Sequence, residues 1–155
     1  SDQPEQHYTI IDTQSVLWPD TRDMMGWEMV NSGMQVVFSA RIPGVISSEM
    51  RGVVAAFLAR HGLAVEDIDQ WVLHPGGAKV IGAYKHALGL STEQVWHTSE
   101  TLRQYGNMSS ATIFFVLESF LRTEKPEPGA LAMLAVLGPG FSCELALLRN
   151  LVDPV

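Results

Sequence analysis

Strand-like segments alternate along this chain with segments whose apolar residues recur at helical spacing, and this alternation limits the folds open to it. Residues 8–17 and 34–39 are rich in β-branched and aromatic side chains, and residues 71–75 (WVLHP) are predicted to form a brief strand. Between residues 39 and 71 the apolar residues recur at helical spacing. This stretch begins after Pro43 and ends at Gly62. Its apolar positions, at three- and four-residue steps, are Val45, Ile46, Met50, Val53, Val54, Phe57 and Leu58.

The second half of the chain continues the alternation. The pattern predicts helices over residues 80–88 and 109–121, a shorter helical or turn segment over 91–102, and strands over 130–137 and 141–151. The two last strands are joined by a glycine–proline–glycine turn and are expected to pair antiparallel. We interpret residues 21–31 as irregular. The chain is therefore predicted to be one layered α/β domain over residues 1–155, with a five-stranded mixed sheet.

Composition excludes several classes of partner. The 155 residues are 46% apolar and only 17% charged, with a net charge of −7 and no basic run, which argues against nucleic acid or an anionic membrane as partner. No apolar run approaches the length that spans a bilayer. A single cysteine excludes an internal disulfide, and no Cys/His pair has zinc spacing, so we expect no metal and a cytoplasmic location.

Two polar residues stand where catalytic groups are commonly held. His74 ends a buried strand, and Asn107 precedes a buried helix. An imidazole and a carboxamide can both donate hydrogen bonds near neutral pH, so together they could stabilise an oxyanion. On spacing alone the alternatives stay open, because a strand-end histidine can be structural and a helix-start asparagine can be a cap.

Three motifs in order extend this hypothesis to a family. Residues 71–79 (WVLHPGGAK), residues 105–111 (YGNMSSA) and Gly138-Pro139-Gly140 closely resemble signatures of the chalcone synthase-like, type III polyketide synthases. Residues 39–45 (SARIPGV) and 23–27 (DMMGW) resemble bacterial members. Ketoacyl synthase III enzymes share the fold and the Cys-His-Asn logic, but their sequence around the histidine differs from HPGG.

The resemblance implies a thiolase-like fold of two similar halves, of which this chain is the C-terminal half and the N-terminal half is absent. It implies a decarboxylative Claisen condensation of malonyl-CoA onto an acyl-CoA starter, with CoA thioesters as substrates and no cofactor. His74 and Asn107 match the catalytic histidine and asparagine, and the nucleophilic cysteine comes from the first half. The chain alone is then expected to be inactive, with its own N-terminal half and a homodimer as partners.

The resemblance also assigns binding residues. Gly76, Gly77 and Ala78 match the stretch beside the pantetheine arm of CoA, where missing side chains allow a close backbone approach. Gly138 and Pro139 match the loop that shapes the active-site wall. Val36 matches a phenylalanine that guards the substrate passage in plant members, and its smaller side chain would admit bulkier starters. Without the resemblance, both glycine stretches read as plain turns.

Other readings remain open. The chain could instead be a ketoacyl synthase III-like enzyme, or a non-catalytic domain that binds CoA or serves assembly. Cys143 is rejected as nucleophile, because it lies in an apolar strand pattern without a basic neighbour. We expect His97 on the surface, and we expect the apolar helix over residues 113–121 to cause self-association when it lacks a partner.

Overall fold

The strands and helices follow the order that the periodicity predicts, with one strand added. The computed structural model describes residues 7–151. The strands are β1 (His7–Leu17), β2 (Met25–Val30), β3 (Gly33–Phe38), β4 (Gln70–Leu73), β5 (Leu131–Gly138) and β6 (Ser142–Leu151). The helices are α1 (Ile42–Ala59), α2 (Ala78–Leu88), α3 (Trp96–Tyr105) and α4 (Thr112–Thr123).

The main sheet is mixed and has four strands, in the order β1-β6-β5-β4. The predicted antiparallel pairing of the last two strands is confirmed, and β4 runs parallel to β5. The expectation of five strands is wrong, because β3 leaves the sheet. It pairs instead with β2, in a separate hairpin whose register runs from Met25–Phe38 to Val30–Gly33. The segment that we interpreted as irregular thus contains a strand.

The main sheet is covered on both faces, and β5 shows how. Its residues Met133, Ala135 and Leu137 belong to the core cluster that includes α1 and α2. The alternate residues Leu134 and Val136 pack instead with α4. A period of two residues therefore sends successive side chains into two helical layers. Burial of each large apolar side chain in these layers stabilises the folded state by roughly 1.5–3 kcal/mol.

Helix α1 belongs to the core although it is apolar enough to be mistaken for a membrane span. It is 18 residues long with a mean hydropathy of 1.3, and it passes a test for membrane-crossing helices by length and composition alone. Six of its side chains are buried in the domain: Ile42, Ile46, Met50, Val54, Phe57 and Leu58. They recur at steps of one to four residues along one face, which is the arrangement of a core helix.

Helix α4 buries one face and leaves another in solvent. Thr112, Ile113, Val116 and Phe120 are buried against the sheet. Phe114, on the outer face, is 68% exposed. The prediction of a buried helix therefore holds for one side only, and the other side presents apolar surface without a covering element among residues 7–151.

Candidate active site

His74 is held by backbone bonds on both of its sides. It directly follows β4, its side chain is almost fully buried, and its N–H donates to the carbonyl of Ala135 on β5 across 2.9 Å. Its own carbonyl accepts the N–H of Gly76 at 3.1 Å, which closes a tight turn after the strand. These bonds therefore fix the position of the His74 backbone, from which the imidazole extends.

Burial also sets the charge of this imidazole. Desolvation lowers the pKa of His74 below its ordinary value of 6.5, so the ring is neutral at neutral pH. Its Nδ1 atom is buried and has no hydrogen-bond partner among residues 7–151. Because Nδ1 has no accessible surface, a hydrogen bond to a molecule in the adjoining cavity has to involve Nε2.

Asn107 reaches the same place from the far end of α3. The helix ends at Gly106, whose φ of 72° lies in the left-handed region that glycine adopts without strain. The Nδ2 group of Asn107 then donates to the carbonyl of Gly76 across 3.2 Å, and its Oδ1 accepts the N–H of Ser109 at 2.9 Å. The amide plane is thus oriented by two bonds, while the residue stays exposed.

One cavity of about 650 Å³ collects the residues that the sequence singles out. Its lining includes both candidate catalytic residues and all six candidate binding residues, namely His74, Asn107, Gly76, Gly77, Ala78, Gly138, Pro139 and Val36. The structure therefore brings the whole predicted set to one place. The role of each residue stays a prediction.

The sequence interpretation missed one wall of this cavity. Met25 and Trp27 of β2 line it beside Val36 and Phe38 of β3. Trp27 lies directly opposite Val36 in the hairpin register, which puts both side chains on the same face. The period-two spacing of Met25, Trp27 and Met29 was the signal that could have identified this strand.

Cys143 does not belong to the site. It is fully buried in β6, opposite Leu137, and is not among the residues that line the cavity. Burial, and to a smaller extent the charge of Glu144, raises the pKa of its thiol to about 12. The thiolate is the nucleophilic form, so the only cysteine of the chain is a poor nucleophile.

The expectation that His97 is a surface residue is wrong. Its ring is buried, with Nδ1 3.0 Å from the hydroxyl of Ser119 and Nε2 3.0 Å from the carboxylate of Glu124. The order serine–histidine–carboxylate resembles a hydrolytic triad. Ser119, however, lies inside α4, where backbone N–H groups are taken by the helix and cannot stabilise an oxyanion. His97 therefore joins α3 to α4.

Comparison with known proteins covers nearly the whole chain. Residues 9–152 match the family model described as chalcone and stilbene synthases, C-terminal domain. The 1,3,6,8-tetrahydroxynaphthalene synthase of Streptomyces peucetius subsp. caesius is 41% identical over 137 residues, which are 88% of this chain and 36% of that protein. The 3,5-dihydroxyphenylacetyl-CoA synthase of Amycolatopsis orientalis is 35% identical over 123 residues, 79% of this chain and 33% of that protein.

A solved structure agrees with the fold. The crystal structure of 1,3,6,8-tetrahydroxynaphthalene synthase from Streptomyces coelicolor A3(2), a bacterial type III polyketide synthase, matches with a TM-score of 0.89 at 23% identity. The match covers 96% of this chain and 42% of that one. The chain spans about a third of the length of the curated relatives above, at 36% and 33%.

Proposed function

We propose a function that proceeds from one fact, namely that this chain belongs to the chalcone and stilbene synthase family as its C-terminal domain. In the proposal the domain supplies His74 and Asn107 to a type III polyketide synthase. The enzyme condenses malonyl-CoA, with loss of CO₂, onto an acyl-CoA starter. A cysteine on another segment, in the N-terminal half, carries the growing acyl chain.

The observation that carries the proposal is the meeting of these two side chains at one cavity. His74 and Asn107 both line it, and Asn107 is bonded to Gly76, two residues beyond His74. Both can act as neutral donors, because burial lowers the pKa of the imidazole and a carboxamide does not ionise. Two such donors at the wall of a mostly apolar cavity suit a negative charge that forms on a thioester oxygen.

The chemistry follows from this arrangement. When the malonyl carbon loses CO₂, the electron pair of the broken C–C bond moves onto the thioester and forms an enolate oxygen. Hydrogen bonds from His74 Nε2 and Asn107 Nδ2 to that oxygen stabilise the enolate more than the starting ester. The enolate carbon then attacks the acyl thioester on the cysteine, and the thiolate leaves. Loss of one such donor typically costs on the order of 100- to 1000-fold in rate.

The first turn of α2 is the proposed contact for the pantetheine arm of CoA. Gly77 caps this helix, and an added Cβ there would meet no atom within 4 Å, so the space beside it is open. The backbone N–H groups at the start of a helix have no partner inside the helix and can donate to a ligand. Ala78, which follows, lines the cavity with a small side chain.

A homodimer and a cytoplasmic location stay predictions.

The proposed nucleophile lies outside this domain, because Cys143 is buried and its pKa is raised to about 12. The test therefore uses a protein that carries both halves. CoA release from malonyl-CoA and a fatty acyl-CoA is measured in the unchanged protein, in His74→Ala and in His86→Ala, an exposed histidine on α2. We expect His74→Ala to lose at least about 100-fold in rate and His86→Ala to match the unchanged protein.

Two results would contradict the proposal. One is a folded two-half protein that releases no CoA from these substrates. The other is a His74→Ala variant as active as the His86→Ala control. A strong preference for acyl carrier protein over free CoA would favour the ketoacyl synthase III-like alternative.

A further inference from the structure

The peptide group that joins Leu73 to His74 is held from both sides. Its N–H, on His74, donates to Ala135 of β5. Its carbonyl, on Leu73, points the opposite way, because the two groups of a trans peptide are antiparallel. That carbonyl accepts the hydroxyl of Thr98 across 3.1 Å, and Thr98 is fully buried in the first turn of α3. Helix α3 therefore completes the hydrogen bonding of the backbone immediately before His74.

The same helix carries Asn107 at its other end. Asn107 follows Gly106, directly after α3, and bonds to the carbonyl of Gly76. Helix α3 thus touches the active-site segment twice, once before His74 and once after it. The rise from Thr98 to Tyr105 is about 10 Å at 1.5 Å per residue. The two contacts therefore lie at opposite ends of α3, one on each side of His74 in the sequence.

The beginning of α3 is itself anchored. His97, next to Thr98, is bonded to Ser119 of α4 and to Glu124, which directly follows that helix. Because its first turn is anchored, α3 also fixes the position of the loop after it, which contains Asn107. Within residues 7–151, Thr98 carries the only hydroxyl that links this first turn to β4, the strand before His74.

We propose that Thr98 is a positioning residue for the reaction. Through the Leu73–His74 peptide it sets the separation and orientation of the His74 imidazole relative to the Asn107 amide. This inference rests on the proposed function and adds a residue that touches neither substrate nor cavity. Because both donors act in the transition state, a small shift between them lowers kcat and leaves KM nearly unchanged.

The experiment compares threonine variants in the two-half protein. Thr98→Val keeps the shape and removes the hydroxyl, whereas Thr98→Ser keeps the hydroxyl. Thr101→Val is the matched control, because Thr101 is buried one turn later on α3 and makes no hydrogen bond to β4 among the described residues. We expect Thr98→Val to lower kcat about tenfold with KM within about twofold, since a shift of 1 Å can cost about 100-fold. Thr98→Ser and Thr101→Val are expected to stay within about threefold of the unchanged protein.

Equal losses in Thr98→Val and Thr101→Val would overturn the inference, because they would show a general packing effect. A rise in KM at unchanged kcat would overturn it too. If Thr98→Val does not fold, Thr98→Ala is compared with Thr98→Ser, since this pair differs in the hydroxyl alone, and equal kcat values would reject the role. An inactive His74→Ala beside a fully active Thr98→Val rejects only this inference, whereas an active His74→Ala rejects the proposed function.

Discussion

The side-chain amide of Asn107 donates to the backbone carbonyl of Gly76 across 3.2 Å, between residues 31 positions apart in the sequence. The bond fixes one edge of the amide two residues beyond His74, and the N–H of Ser109 fixes the other edge. The Asn107 amide is thus oriented by two backbone contacts, and the backbone of His74 is fixed by its bonds to Ala135 and Gly76. Preorganised donors of this kind need little rearrangement when charge develops in the reaction.

Acid should destabilise the domain partly through His74. Burial lowers the pKa of its imidazole in the folded state below the ordinary 6.5, so the unfolded chain takes up a proton at a higher pH than the folded one. The contribution to stability is complete above about pH 6.5 and is lost as the pH falls toward the folded-state pKa. We expect the loss of Tm between about pH 7.5 and about pH 5.5 to be smaller in His74→Gln than in the unchanged domain or in His86→Gln. An equal loss in all three would contradict the burial effect.

Cys143 should resist alkylation as long as the domain is folded. With its pKa raised to about 12, the thiol has a very small thiolate fraction, and the side chain is shielded by the core. We expect iodoacetamide at about pH 8 to label native protein at least about 100-fold more slowly than protein unfolded in urea, as followed by mass spectrometry. Equal rates would show an accessible, ionised thiol and would reopen Cys143 as a nucleophile.

Val36 should control the length of the acyl starter. Val36 lines the cavity on the same face of the hairpin as its cross-strand neighbour Trp27. A phenylalanine at position 36 therefore narrows the cavity between the hairpin and the far wall. In the two-half protein we expect Val36→Phe to lower kcat/KM for long-chain acyl-CoA about tenfold and to spare short starters. Gln35→Phe, on the opposite face of the same strand, is the matched control and should leave the length preference unchanged. A loss that is equal for short and long starters would argue against this role.

The outer face of α4 should make the chain self-associate. Phe114 is 68% exposed there, and Leu121 is also exposed. Apolar surface of this kind favours association, so we expect the mass seen by light scattering to rise with concentration in the micromolar range. Phe114→Glu should reduce the association, whereas Met29→Glu, at the exposed tip of the hairpin, should not. A concentration-independent monomer before mutation would contradict the prediction.

Elements that pack on the core could be predicted from the sequence. Helix α1 has apolar residues at helical spacing because one of its faces is buried. Strand β5 is a short run that is apolar throughout, because both of its faces are covered. The site residues were found differently. A histidine at a strand end is ambiguous by itself, and the HPGG and YGNMSSA motifs selected His74 and Asn107.

The failures have a physical reason as well. β3 is predicted as a strand but in the wrong sheet, and β2 is missed: most residues of both are exposed, so no buried face marks where they belong. The sequence wrongly predicts His97 on the surface, because its partners Ser119 and Glu124 lie 22 and 27 residues away along the chain. Local patterns do not contain such pairings, and the fold alone makes a buried polar side chain favourable.

A double-mutant cycle on malonyl-CoA decarboxylation by the two-half protein asks whether His74 and Asn107 act on one developing charge. CO₂ release is measured for His74→Ala, Asn107→Ala and the double variant. Each single change should slow the reaction about 100-fold or more, and the double variant should be little slower than the worse single one, because donors that act as a unit are not additive. Independent effects that multiply to a loss of about 10,000-fold would show that the two side chains serve separate steps, and the shared site would be refuted.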